Sequence, residues 1–109
     1  MRWPGRRLAG VYLLVRLIRG GPWDFSRSMR EQDGFEEHAR FMDELVEEGF
    51  VILGGPLDER RIALVIDADS EDEVRSRLAQ DNWTQNGMLT IGSLEPWTIL
   101  LDGRRRGLP

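Results

Sequence analysis

The sequence predicts an α+β fold, a ferredoxin-like βαββαβ sandwich with a four-stranded antiparallel sheet and two helices on one face. Three observations predict it. Two stretches carry helix signals, each opened by the spacing of a capping box, Asp33 with Glu36 and Ser70 with Glu73. Between them, two short apolar runs separated by Asp58-Glu59-Arg60 read as a hairpin. A further apolar run precedes the first helix and another follows the second. Right-handed crossovers then put both helices on the same side of the sheet.

The elements follow in chain order. Residues 11–18 are apolar and β-branched, interrupted only by Arg16, and Gly20-Gly21-Pro22 ends the run before a long polar loop. From Asp33 the pattern turns helical. Phe35, His38, Met42, Leu45 and Gly49 recur at alternating steps of three and four residues, one face of a helix that reaches about Val46, with Gly49 just past its end. Phe50-Val51-Ile52-Leu53 is a strand ended by Gly54-Gly55-Pro56, and residues 62–66 are its hairpin partner. Ser70 opens a short helix that turns Val74 and Leu78 inward and ends near Gln80. Residues 88–101 supply the last strand, bent near Pro96, whose nitrogen cannot donate to a ladder.

A chain of 109 residues fits one domain, expected over 10–102, with a flexible N-terminal arm at 1–9 and a disordered C-terminal tail at 103–109. Its strands do not alternate polar with apolar, the pattern of strands covered on both faces. Helices cover one face only, so a second copy packed sheet against sheet, a homodimer, is expected on the other. The chain has no cysteine, which excludes disulfides, thiolate nucleophiles and cysteine-bound zinc, and fits the reducing cytoplasm. A net charge of -4 speaks against general nucleic-acid affinity, although every cation is arginine. The apolar run near the start meets Arg16 and Arg19 too soon for a membrane span, and no small-residue cleavage site follows it.

By elimination, the chemistry left is acid–base. No His-Glu-x-x-His or spaced histidine pair offers a metal site, and no flavin or nicotinamide motif offers a cofactor. The serines lack a Gly-x-Ser-x-Gly elbow, and the two Gly-Gly-Pro turns lack the lysine of a phosphate loop. His38, the sole histidine, points inward, either as a hydrogen-bonded core residue or as a proton shuttle. Asp81 is its candidate partner, with the cap of a turn as the alternative role. Trp23, Trp83, Gly55 and Pro56 are candidate walls of a substrate pocket where the first helix and the segment after the second converge. Trp97 is read as core or interface filler. The acidic outer positions of the first helix, with Glu36 and Arg40 spaced for a surface pair, read as a solvated back.

Glu31-Gln32, Glu37-His38 with Phe41-Met42, Leu45, Gly49, Gly54-Gly55-Pro56-Leu57, Asp81-Asn82-Trp83, Gly87-Met88-Leu89 and Glu95-Pro96-Trp97 together resemble the YciI-like, or YCII-related, proteins. The resemblance spans residues 11–102. It implies a dimeric α/β barrel built from ferredoxin-like subunits, and a histidine–aspartate dyad landing on His38 and Asp81. One departure is visible, because the family usually has Asp-Pro where this chain has Asp81-Asn82. One branch of the family dechlorinates a hydroxyquinone-type ring. The expected function is therefore cofactor-free proton abstraction, isomerisation or elimination on a small cyclic or aromatic metabolite. The rivals are a non-catalytic small-molecule-binding or regulatory module, and a purely structural dimer with a filled interior.

Overall fold

A computed structural model describes residues 11–103. The arm expected at 1–9 and the tail beyond Gly103 lie outside the described residues. The chain runs β1 (Val11–Arg19), α1 (Phe35–Glu47), β2 (Val51–Pro56), β3 (Arg61–Ala68), α2 (Glu71–Leu78), α3 (Asn82–Gln85) and β4 (Leu89–Pro96), with a 3-10 turn at Met29–Glu31. The strands form one sheet in the order β2-β3-β1-β4, and every neighbouring pair is antiparallel. This is the α+β, ferredoxin-like arrangement the sequence predicts. Among the described residues no helix is long and apolar enough to cross a membrane.

Strand periodicity decides what is buried. Leu13, Val15 and Leu17 of β1 and Leu64, Ile66 and Ala68 of β3 turn toward the helices, where they meet Leu45, Val74, Leu78 and Trp83. Each large aliphatic side chain so buried contributes about 1.5–3 kcal/mol. The opposite sheet face mixes apolar residues with Arg16, Arg61, Asp67, Ser93 and Glu95. It carries Leu14, Ile18, Ala63 and Val65, with Leu53 beside Val65 on β2 and 53 % exposed.

Four details depart from the expected boundaries, each for a local reason. Asp33 does not cap α1. The cap position is Gly34, in the left-handed region at φ 80° with no side-chain hydrogen bond, so the helix starts one residue late and the carbonyl of Asp33 is free for another partner. The box spacing is used one turn earlier, where Ser28 N–H donates to Glu31 Oε1 at 2.9 Å. Strand β2 continues through Gly54-Gly55-Pro56 because it is an edge strand, where a missing N–H leaves no ladder bond broken. The segment after α2 forms a further helix, α3, and β4 ends at Pro96, short of residue 101. Ser70 does cap α2, accepting from Glu73 N–H at 3.1 Å, and Gly49 closes α1 at φ 79°.

Candidate active site

His38 sits where α1 makes its first hydrogen bond, its N–H donating to Gly34 O at 3.0 Å. From that position the ring reaches across to Asp81. Nδ1 lies 2.8 Å from Oδ1 and 2.9 Å from Oδ2, although the two residues are 43 apart in the chain. Asp81 is brought there by the turn that ends α2, its N–H bonded to Leu78 O at 3.1 Å. It is also the cap of α3, with Oδ1 accepting from Trp83 N–H at 3.3 Å. Both roles weighed for Asp81 are filled at once. The side chains are 12 % exposed for His38 and 3 % for Asp81. A carboxylate that deep needs partners, and it has the imidazole and the helix start.

A carboxylate only accepts, so the proton of this contact is carried by Nδ1. The ring plane is set by stacking. His38 lies on Trp83 with centroids 4.0 Å apart and planes 14° apart, and Trp83 is pinned by Nε1–H donating to Asp33 O at 2.8 Å. Trp23 meets Trp83 edge-on at 5.1 Å, and Phe35 lies at 6.2 Å. Asn82, between Asp81 and Trp83, donates from Nδ2 to Gly34 O at 3.0 Å. Asn82, where the proteins this sequence resembles usually have proline, thus makes a tie of its own.

Two further side chains support the cluster, and the sequence reading gave neither a role. Gln32 is buried in the loop between β1 and α1. Its Oε1 accepts from Asp24 N–H at 3.0 Å and its Nε2 donates to Asp24 O at 2.7 Å, which closes the loop that carries Trp23. Arg19 lays its guanidinium 4.4 Å from the centroid of Trp23. Burial pushes its pKa below the ordinary arginine value, while the charge of Asp58 opposes the shift. Side-chain-to-backbone bonds of the Gln32 kind have no periodicity, so pattern alone does not reveal them.

The structure therefore brings together His38, Asp81, Trp83 and Trp23. Gly55 and Pro56 lie on the edge strand, paired with Ala63 and Ile62, and among the described residues they take no part in these bonds or ring contacts. Pro56 does share a row with Ile62, Leu17 and Ile91 at one end of the sheet. A surface cleft of about 230 Å³ runs along the flank of α1 against α3, lined by Glu37, Arg40, Phe41, Glu44, Gln80, Asn82 and Gln85. None of the four expected pocket residues borders it. Among the described residues no group of three or more His, Asp or Glu side chains is disposed to hold a metal ion.

Fold and site define an α+β sandwich that holds a part-buried histidine–carboxylate pair against tryptophan. The model of the YCII-related domain matches residues 13–98, and the chain belongs to that family. Among solved structures it is similar to 5-chloro-2-hydroxyhydroquinone dehydrochlorinase (TftG) from Burkholderia phenoliruptrix AC1100, in complex with 2,5-dihydroxybenzoquinone. The TM-score is 0.58 at 23 % identity, covering 79 % of this chain and 93 % of that one, a likeness of fold. No curated protein matches significantly.

Proposed function

We propose that this protein is a cofactor-free acid–base enzyme acting on a small cyclic or aromatic metabolite, with His38 as proton shuttle and Asp81 as its orienting partner. The observation that carries the reading is the approach of both Asp81 oxygens to Nδ1, at 2.8 and 2.9 Å. Such a contact fixes the tautomer and stabilises the imidazolium that forms when Nε2 takes a proton. In an isomerisation, Nε2 removes a proton from one ring carbon and returns it to another atom of the same molecule. In an elimination, the electron pair left by that proton forms the new double bond, a leaving group such as chloride departs, and the imidazolium passes its proton to water. The protein whose fold this chain shares is named a dehydrochlorinase, which is the net outcome of the second course.

The experiment is a panel of small hydroxylated and halogenated ring compounds in deuterated buffer, read by NMR for deuterium uptake or halide release. His38→Ala should lower the rate by about 10²–10⁴ with the fold intact. Full activity in His38→Ala sinks the mechanism. The double duty of Asp81 as helix cap and ion-pair partner favours a second reading, a ligand-binding module in which the pair is structural. Saturable binding of a ring compound with no turnover by the unmodified protein would select it. In either case the apolar patch of Leu14, Ile18, Val65 and Leu53 on the open sheet face supports association into a homodimer.

A further inference from the structure

We infer that Asn82 is a positioning residue for the His38–Asp81 pair, acting through the carbonyl of Gly34. The inference deepens the acid–base reading, and rests on it only for the task the pair performs. Gly34 O accepts two hydrogen bonds at 3.0 Å, one from the backbone N–H of His38 and one from Asn82 Nδ2. One oxygen therefore ties the turn of α1 that carries His38 to the residue next to Asp81. A parallel tie runs one residue further on each side, from Trp83 Nε1 to Asp33 O at 2.8 Å. Two consecutive residues after Asp81 thus clasp the two residues that open α1.

α1 needs holding from outside. Its cap residue contributes no side-chain hydrogen bond, so the first turn lacks the usual local partner for its free N–H groups. The clasp is also shaped for a residue without a side chain. At φ 80°, a Cβ on Gly34 would lie 2.6 Å from Asn82 Nδ2 and 3.4 Å from Trp83 Nε1. Loosening the Asn82 tie lets the start of α1 move relative to α3. The ring and the carboxylate, which belong to those two elements, then part.

The chain has one histidine, so labelling with 15N-histidine gives a single Nδ1–H signal from the full protein. Its exchange with solvent reads how firmly Asp81 holds the ring, with no substrate present. Asn82→Ala should speed that exchange about two- to tenfold, the loss expected for one ordinary hydrogen bond. Asn82→Asp should do at least as much, because a carboxylate has no proton to offer the Gly34 carbonyl. Val51→Ala, a core change in β2 at the end of the strand away from Pro56, should leave it unchanged. The inference is overturned by unchanged exchange in Asn82→Ala, by equal acceleration in Val51→Ala, or by the lack of a protected Nδ1 proton in the unmodified chain. Turnover is not read, so failure here leaves the His38→Ala rate test standing, and failure there leaves this one standing.

Discussion

His38 owes its setting to three neighbours that act differently: Asp81 fixes the tautomer, Trp83 fixes the plane and Gly34 fixes the start of the helix. Asp81 carries two of the stabilising roles, so its removal has a compound cost. Asp81→Ala should destabilise the protein by about 2–4 kcal/mol, from a lost helix cap of about 1 and an orphaned part-buried donor of about 1–3. Denaturant unfolding would measure it, and a loss below about 1 kcal/mol would mean that water replaces the carboxylate without penalty. At this scale the sequence was informative about direction and weak about contact. The three–four spacing turned His38 inward, and the spacing around Asp81 could not separate cap from partner because one carboxylate serves both. The sequence offers Trp83 as a pocket wall. It lies beneath the imidazole, since its indole N–H is drawn to the carbonyl that the late helix start leaves free.

Helices and hairpin were legible wherever a pattern extends over several turns, and lost where the element is shorter than its own period. α3 has four residues, about one turn, too few for an apolar stripe. Strand β2 outran its predicted end because glycine and proline mark turns in general and are tolerated on an edge. The hairpin tip gives a pH prediction. The carboxyl of Asp58 is held below the usual carboxylate range, first by the side-chain hydrogen bond from Arg61 and then by the N–H groups of Arg60 and Arg61. A depressed folded-state pKa means that this stabilisation is complete above the unfolded carboxylate range and is lost as pH falls through the folded value. Thermal melts should therefore drop below about pH 4, with a shallower drop in Asp58→Asn. Identical profiles would exclude the turn as a source of acid sensitivity. At the other tight junction, Gly34→Ala should cost at least about 1 kcal/mol, because alanine is strained at positive φ and its methyl would strike Asn82.

For the molecule as a whole, the second sheet face decides whether copies associate. Run-on apolar strands suggest its cover in the sequence; the structure shows Leu14, Ile18, Ala63 and Val65 there, with Leu53 half exposed, among Arg16, Arg61, Asp67 and Glu95. Leu53→Glu tests the homodimer cleanly, since a residue 53 % exposed in the single chain tolerates a charge there until a second copy covers it. Light scattering should give the mass of two chains for the unmodified protein and of one for the variant at micromolar concentration, because a charge buried without a partner costs about 3–5 kcal/mol. A folded monomer in both samples would remove the dimer from the reading.

The stack of His38 on Trp83 has an optical consequence. Trp83 is 1 % exposed and its indole lies 4.0 Å from the imidazole, so its emission is expected in the blue part of the tryptophan range and within quenching distance of the ring. An imidazolium quenches indole fluorescence far better than the neutral ring does. Any event that protonates His38 should therefore dim the protein's own light, and a ligand that draws the ring away from Trp83 should brighten it. Trp83→Phe removes that component and leaves the other tryptophans as background. Candidate ligands can then be screened in a fluorimeter, without a chromophore of their own.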